Sequence, residues 1–251
     1  LANLTNLAAG MAHEIKNPLG AISIHIQLIQ KAVKKARENE NILPGKKFVE
    51  DHIDVVNEEI EHLNKLVMDF LTAVRPVKAT LELKNPEKII SNLMEFFKPE
   101  FTKYGIKTVF EASGKSERIM LDEKLFREII INLSQNSLAA IKSRFPECND
   151  FNAKTEQLPG LFRIKEKVND NKVQITIEDN GCGMSEETLS KIFEPYYTTK
   201  ANGTGLGMTM VYKIVKEFSG EILVDSQVGL GTMFTLTFPI PQKDTKLLPT
   251  T

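Results

Sequence analysis

The chain is poor in cysteine and has no excess of either charge. Cys148 and Cys182 are its two cysteines among 251 residues, and their isolated positions favour reduced intracellular thiols over a disulfide framework or a zinc site. The formal net charge is −1, with acidic and basic residues interspersed, so no broad positive field exists for nucleic acid or anionic lipid. We therefore expect neither as a partner.

Long apolar runs are also missing. No segment approaches the about 20 apolar residues that cross a bilayer, and no signal peptide is visible, which predicts a cytoplasmic fragment without membrane contact. The chain opens on Leu1 inside a helical pattern, so we expect it to be the C-terminal part of a longer protein that could carry a sensor or a membrane anchor. Its length allows two domains, each with a core.

The first 76 residues have a helical pattern. Apolar residues recur at three- and four-residue steps over 4–33, which predicts a long amphipathic helix. Residues 39–45 interrupt the pattern, and a second helical run over 48–74 stops at Arg75 and Pro76. Because one helical hairpin has too little core to stand alone, we expect a homodimer in which two hairpins form a four-helix bundle.

After Pro76 the pattern changes to short β-rich runs that alternate with helices. This mixture predicts an α+β sandwich in which helices cover one face of one sheet. We thus expect a helical hairpin over 1–76, an α/β domain over 77–241 that swings about Arg75 and Pro76, and a flexible tail over 242–251. The predicted strands are 80–83, 107–111, 161–167, 173–178, 221–225 and 232–238, the predicted helices are 86–103, 122–141 and 206–218, and a polar insertion occupies 146–159.

His13 is the candidate nucleophile of the first helix. At about 100° per residue it points about 180° away from Ile22 in the apolar stripe, toward solvent. Glu14 can orient the imidazole so that one nitrogen is a free nucleophile, and Asn17 lies one turn further on the same face. Pro18 lacks an N–H and frees a backbone carbonyl near Glu14. Packing or an incidental surface position is the expected role of the other three histidines, His25, His52 and His62.

Polar side chains in the second half suit a nucleotide. Asn132 and Asn136 share one face of a predicted helix, and amide oxygens are hard ligands for a Mg²⁺ ion that bridges phosphates. Asp179 follows a predicted strand and can accept a hydrogen bond from an amino group such as that of adenine. Gly181 and Gly183 would let the backbone approach a flat ligand.

A glycine-rich segment opens the next predicted helix. Residues 203–207 read Gly-Thr-Gly-Leu-Gly, and their bare N–H groups at the positive end of a helix suit phosphate. Residues 193–200 precede this segment, and together they form a plausible mobile lid. Each of these short motifs also occurs in ordinary turns, so only their combination predicts a nucleotide site.

In combination, the motifs resemble those of two-component sensor histidine kinases. Residues 13–19, His-Glu-Ile-Lys-Asn-Pro-Leu, match at every position the H-box of the dimerisation and phosphoacceptor domain. The later segments match the N, G1, F and G2 boxes of the ATP-binding domain, a Bergerat-type fold shared with DNA gyrase. The resemblance covers nearly the whole chain. It implies an enzyme that uses ATP and Mg²⁺ to phosphorylate its own histidine and then phosphorylates an aspartate on the receiver domain of a response regulator.

The resemblance implies a role for residues in both halves. His13 would be the phosphoacceptor, Glu14 the general base, and Asn17 the residue that positions water when the regulator is dephosphorylated. Asn136 would be the main Mg²⁺ ligand, with Asn132 beside it. The implied nucleotide contacts are Asp179, Gly181, Gly183 and Thr232 around adenine, and Thr199, Lys200, Gly203, Thr204, Gly205, Leu206 and Gly207 around the triphosphate.

Two positions separate this chain from related enzymes. Hydrolysing members of the superfamily have a glutamate where Asn132 stands, and because an amide is no base, water stays unactivated and ATP is kept for His13. Many sensor kinases have a cation at the position of Ala139, so Lys200 and Lys142 are the alternatives for gripping phosphate. The sequence leaves open whether phosphatase activity dominates, whether phosphorylation is in cis or in trans, and whether the chain is instead a nucleotide-sensing scaffold.

Overall fold

The computed structural model describes residues 2–38, 44–74, 77–115, 117–146, 159–169, 171–200 and 203–241, without the side chains of 2–10, 13, 14, 65 and 68–74. These residues belong to two compact units, one of Leu1–Pro76 with Glu194–Gly207 and one of Val77–Phe193 with Met208–Thr251. Several predictions fall outside the described residues. They concern Arg75 and Pro76, most of the 146–159 insertion with Cys148, and the tail over 242–251.

Two helices form the hairpin of the first unit. Helix α1 spans Ala2–Glu38 and helix α2 spans Lys46–Val74, so both predicted helices are confirmed. The α1 helix continues beyond its apolar pattern, and its last turn contains Lys35 and Arg37, whose charges suit the negative end of the helix dipole. Pro18 lies buried inside α1 without ending it. None of the described helices is both long and apolar enough to span a membrane.

The apolar stripe of each hairpin helix consists of two rows. One row of α1, which includes Ile22 and Ile29, is half-buried, whereas a neighbouring row repeats every seven residues and is exposed. A seven-residue repeat keeps side chains on one side of a helix and is the spacing of helices that pack together. The exposed row contains Leu19 (51% exposed), Ile26 (41%) and Val33 (38%) on α1, and Ile53 and Ile60 (45% each) on α2.

Histidines of the hairpin pack between its helices. The ring of His25 on α1 lies 5.0 Å from the ring of His52 on α2, and Phe48 lies 4.1 Å from His52, centroid to centroid. The Nδ1 atom of His62 is 3.8 Å from a carboxylate oxygen of Glu59 on the same helix. The contacts of His25 and His52 agree with the packing alternative, whereas the contact of His62 is with a neighbour on its own helix.

The remaining elements follow an α+β order. Two elements were not predicted: the three-residue strand Ile119–Leu121 and the six-residue helix Glu186–Lys191. The helix does have a local signal, since Ser185 caps it by accepting a hydrogen bond from the Thr188 N–H. The first strand begins two residues later than the prediction. The elements are β1 (Glu82–Lys84), α3 (Pro86–Lys103), β2 (Ile106–Glu111), β3 (Ile119–Leu121), α4 (Glu123–Arg144), β4 (Gly160–Asn169), β5 (Lys172–Asp179), α5 (Glu186–Lys191), α6 (Gly207–Glu217), β6 (Glu221–Gln227) and β7 (Gly231–Pro239).

A five-stranded sheet supports the second unit. Its order is β2-β4-β5-β7-β6, with β2 and β4 parallel and the other pairs antiparallel. Strand β4 buries alternate residues such as Phe162 and Ile164, which join a core with Ile130 of α4 and Val211 of α6. The sheet therefore has one face covered by helices, as the α+β prediction requires.

The start of α4 is tied to the segment that follows the hairpin. Asp122 caps α4, because its Oδ1 atom accepts hydrogen bonds from the N–H groups of Lys124 and Leu125. Its Oδ2 atom accepts a hydrogen bond from the N–H of Thr80 at 3.1 Å, and β1 pairs with β3 directly before Asp122. The helix that carries Asn132 and Asn136 is thereby anchored at its N-terminal end.

Candidate functional site

Two asparagines of α4 have a defined amide orientation. The Asn132 Nδ2 group donates to the carbonyl of Glu128 at 3.0 Å, and the Asn136 Nδ2 group lies 3.2 Å from the sulfur of Met208 in the first turn of α6. The start of α6 is therefore beside Asn136. Both contacts use the amide nitrogen, whereas Mg²⁺ binds amide oxygen, so these two contacts would not compete with Mg²⁺ ligation.

Asp179 at the end of β5 is a buried carboxylate with three donors. It is 5% exposed, and it accepts hydrogen bonds from the Ser137 hydroxyl at 2.7 Å and the Gly181 N–H at 2.8 Å. Burial raises the pKa of Asp179, while hydrogen bonds from Ser137, Gly181 and the Thr232 backbone oppose that rise. The carboxyl is thus held in one orientation, as recognition of an exocyclic amine requires.

Asn180 attaches the loop after β5 to the start of β4. Its Oδ1 atom accepts a hydrogen bond from the Leu161 N–H at 2.7 Å, and its Nδ2 group donates to the Pro159 carbonyl at 2.8 Å. Both ends of the side-chain amide are therefore used within the protein. This role has no local signal in the sequence, since Pro159 and Asn180 are far apart along the chain.

The glycines of this loop are required by contacts within the protein. A Cβ atom on Gly181 would lie 2.6 Å from the Cβ of Ala140 in α4. Gly183 has φ of +67°, and its added Cβ would collide with the carbonyl of Gln227. The sequence predicts that these glycines let a flat ligand approach the backbone. In the structure, the lack of a side chain at both positions makes room for the close approach of α4 and of the end of β6.

Glu194–Gly207, which we term the lid segment, belongs to the other compact unit. Its ends meet where the Tyr196 N–H donates to the Gly205 carbonyl at 3.1 Å. Gly205 has φ of +65°, and an added Cβ would collide with the backbone of Tyr196.

The predicted nucleotide contacts of this segment fall into exposed and buried groups. Thr199 and Lys200 are exposed, Thr204 and Leu206 are buried, and Gly203 and Gly207 lie between.

The phosphoacceptor motif lies on α1. The backbone of His13 and Glu14 is helical, and their side chains lie outside the described part of the structure. Asn17, four residues after His13, is exposed. The solvent-facing orientation of the His13 side chain stays a prediction.

Other side chains of α4 contact residues outside the predicted set. Lys142, one alternative for a phosphate-gripping cation, holds its Nζ atom 3.8 Å from the centre of the Tyr104 ring, a cation–π contact. Two residues with contacts to the end of β5 and the loop after it were not predicted. Ser137 contacts Asp179, and Arg144 donates to the carbonyl of Asn180. Neither contact can be found from residue spacing, because each joins elements distant in the chain.

The chain matches two protein families in succession. Residues 3–76 match the His Kinase A (phospho-acceptor) domain family. Residues 121–242 match the family described as histidine kinase-, DNA gyrase B-, and HSP90-like ATPase.

The curated relatives are kinases longer than this chain. It is 30% identical over 241 residues to the signal transduction histidine-protein kinase AtoS of Escherichia coli (strain K12), a match that covers 96% of this chain and 35% of AtoS. It is 32% identical over 235 residues to sporulation kinase D of Bacillus subtilis (strain 168), covering 93% of this chain and 41% of that kinase. The chain therefore spans well under half of either relative.

Solved structures share the fold. The histidine kinase ThkA in complex with the response regulator protein TrrA superposes with a TM-score of 0.71 at 23% identity, covering 96% of this chain and 63% of that chain. The separate catalytic domain of ThkA gives a TM-score of 0.52 at 26% identity and covers 64% of this chain and 95% of that chain. Full-length ShkA in complex with AMPPNP gives a TM-score of 0.63 at 19% identity, and the match covers 90% of this chain and 46% of the ShkA chain. With both domains present in order and kinases as relatives, this chain belongs to the two-component sensor histidine kinase family.

Proposed function

We propose that this chain is the catalytic core of a sensor histidine kinase, which binds ATP with Mg²⁺, phosphorylates His13 and passes the phosphoryl group to an aspartate of a response regulator. One observation carries the proposal: Ser137, which directly follows Asn136 on α4, contacts the buried carboxylate of Asp179 at the end of β5. Asn136 has the oxygen that suits Mg²⁺, and Ser137 donates to the buried carboxylate of Asp179. A single rigid helix would thus set the distance between adenine and phosphates.

The residues of the chain divide the chemistry among them. Mg²⁺ neutralises charge on the phosphates when it is bound, and Asn136 and Asn132 would hold it. The carboxylate of Glu14 would accept a hydrogen bond from one ring nitrogen of His13, leaving the other to attack the γ-phosphorus and release ADP. The N–H groups of the glycine segment 203–207 and the ammonium of Lys200 would bind the triphosphate.

The exposed row on the hairpin supports a proposal of dimerisation. Leu19, Ile26 and Val33 on α1 and Ile53 on α2 present apolar surface at a seven-residue spacing, and a second hairpin with the same row would cover it. We therefore propose a homodimeric four-helix bundle built from residues 1–76. Residues 77–241 then form the ATP-binding domain, with 242–251 as a tail.

A response regulator is the proposed phosphoryl acceptor. ThkA, whose fold this chain shares, has been solved with the response regulator TrrA. The exposed side chain of Asn17 on α1 favours a second activity, in which it positions water to remove the phosphoryl group from the same regulator.

Labelling with γ-labelled ATP tests the proposal. Wild-type protein should become labelled, and His13→Gln should not, while both bind ATP with equal affinity by calorimetry. An unlabelled wild type, or equal labelling of His13→Gln, would contradict the assignment of His13. A wild type that binds ATP without any labelling would instead support the nucleotide-sensing scaffold.

A further inference from the structure

Arg144, in the last turn of α4, bridges the two chain segments that flank Asp179 and Thr232. Its Nη1 group donates to the carbonyl of Asn180 at 2.8 Å and to the carbonyl of Leu230 at 3.2 Å. Asn180 directly follows Asp179, and Leu230 precedes Thr232 by two residues. One guanidinium nitrogen therefore joins the chain on both sides of the proposed adenine site.

The sheet itself stops holding these segments together at this point. The last pair between β5 and β7 is Asp179 with Thr232, and the last pair between β6 and β7 is Gln227 with Gly231. Beyond these pairs the ladder hydrogen bonds end, so side chains and isolated backbone contacts must fix the distance between the loop and the turn. Arg144 supplies two such hydrogen bonds from a single charged group.

The surrounding contacts make this junction tight. The Cys182 N–H donates to the Ala140 carbonyl at 3.1 Å, and the Gly229 N–H donates to the Cys182 carbonyl at 2.7 Å. A Cβ atom on Gly231 would collide with the carbonyl of Asp179. The end of α4, the loop after β5 and the turn before β7 thus form one three-way junction.

Arg144 suits this place because of its charge and shape. A charged donor forms stronger hydrogen bonds to carbonyls than a neutral one, and a planar guanidinium holds its donors in a fixed direction. The group also lies 4.9 Å from the centre of the Phe145 ring, a contact that restricts its conformations.

We propose that Arg144 is a positioning residue for adenine recognition. By holding the carbonyls of Asn180 and Leu230 on one nitrogen, it fixes the loop that follows Asp179 against the turn that precedes Thr232, just beyond the last ladder pair of the two strands. The Asp179 carboxylate thereby stays placed to accept a hydrogen bond from the 6-amino group. This proposal rests on the proposed function, since it presumes that Asp179 reads adenine. Arg144 itself touches neither adenine nor the phosphates.

Calorimetric binding of two nucleotides to the whole chain tests the role of Arg144. The first is ATP, and the second is purine riboside triphosphate, which lacks the 6-amino group. In Arg144→Ala the ATP affinity should fall about tenfold while that of the analogue stays nearly constant, so the preference for ATP declines. Arg144→Lys keeps the charge and most of the aliphatic part of the side chain, so its preference for ATP should lie between those of wild type and Arg144→Ala. Arg127→Ala is the matched control, because Arg127 pairs only along α4 with Glu123 in the described contacts, and it should bind both nucleotides like wild type.

The outcomes separate this proposal from the proposed function. Wild-type protein that does not bind ATP would overturn both. ATP binding that both Arg144 variants leave unchanged, or an equal loss for the two nucleotides, would overturn the positioning role alone. Should Arg144→Ala fail to fold, Arg144→Lys decides: a reduced preference for ATP supports the role, and an unchanged preference refutes it.

Discussion

The hydroxyl of Ser137 on α4 donates to the carboxylate of Asp179 on β5 across 2.7 Å, and both side chains are buried. This hydrogen bond joins the helix that carries Asn136 to the strand whose end would recognise adenine. A short hydrogen bond to a buried carboxylate fixes the orientation of that carboxylate. The distance between the two proposed ends of the nucleotide therefore depends on this hydrogen bond.

Ser137→Ala is expected to weaken both folding and ATP binding. Loss of the donor leaves a buried carboxylate short of one hydrogen bond, which should lower the free energy of unfolding by about 1–3 kcal/mol and raise the pKa of Asp179 further. Ser134→Ala is the control on the same helix, since Ser134 is equally buried but its hydroxyl has no hydrogen-bond partner among the described residues. Urea denaturation of both variants measures the difference. Equal costs at the two positions would contradict the role of Ser137.

Gly205→Ala is expected to open the base of the lid segment. The new Cβ would meet the backbone of Tyr196 and would also impose a side chain on a φ of +65°, so the contact between the ends of the segment should be lost. Gly114→Ala serves as control, because Gly114 has a φ of +69° with open space around it. This substitution should therefore cost only the strain of the backbone conformation, about 1–2 kcal/mol. Limited proteolysis should cut residues 194–207 faster in Gly205→Ala only.

A buried carboxyl beside a half-buried one makes stability depend on pH. Glu166 of β4 is 4% exposed, and the Ser113 hydroxyl lies 3.1 Å from its Oε2 atom and 3.3 Å from the Oε2 atom of Glu87 in α3. Burial and the neighbouring Glu87 raise the pKa of Glu166 to about 7 from 4.5. The folded state therefore binds the proton more tightly than the unfolded state, so the protonated form contributes stability that is complete below about pH 4.5 and lost as the pH rises through about 7.

Denaturation at several pH values checks this dependence. The free energy of unfolding of wild type should fall between about pH 4.5 and about pH 7, and Glu166→Gln should remove this part of the decline. Glu87→Gln should shift the decline to lower pH without abolishing it, since burial of Glu166 remains. A decline that persists unchanged in Glu166→Gln would refute the assignment to Glu166.

Ile26→Glu is expected to convert a dimer into monomers. Ile26 lies in the exposed row with Leu19 and Val33, and a buried charge at the centre of a helical interface is costly. Ile24→Glu is the matched control: Ile24 is 58% exposed but lies about 200° around the helix from Ile26. Sedimentation equilibrium should show dimers for wild type and Ile24→Glu. Dimers of undiminished affinity in Ile26→Glu would exclude this row as the interface.

Asn17→Ala and Glu14→Ala are expected to separate two activities. Asn17→Ala should keep labelling of His13 but lose most dephosphorylation of a phosphorylated receiver domain, while Glu14→Ala should lose labelling, because a positioned base contributes about 10²–10⁴-fold. Time courses with labelled ATP and with a labelled receiver measure the two rates. Loss of labelling in Asn17→Ala would contradict the assignment of water positioning to this residue.

Local signals account for the elements that were predicted well. Helix α3 begins and ends at the predicted residues, because Asn85 caps it and Pro86 occupies its first position. Strand β3 escaped prediction because three residues are too few to show alternation, and its pairing with β1 joins residues more than thirty apart. The apolar pattern of α1 predicted one stripe, and only the packing of α2 distinguishes the covered row from the exposed one.

The order of residues along the chain determined which chemical groups are present and on which element each lies: the histidine motif on a helix, two amides one turn apart, and a carboxylate at the end of a strand. These features depend on spacing and on local backbone preference, which neighbouring residues specify. Tertiary structure alone decided that Ser137 orients Asp179, that the loop glycines accommodate protein before any ligand, and that Arg144 joins Asn180 to Leu230. The reason is physical: each of these contacts joins segments far apart in sequence, and only the packed sheet and helices bring them within a few ångströms.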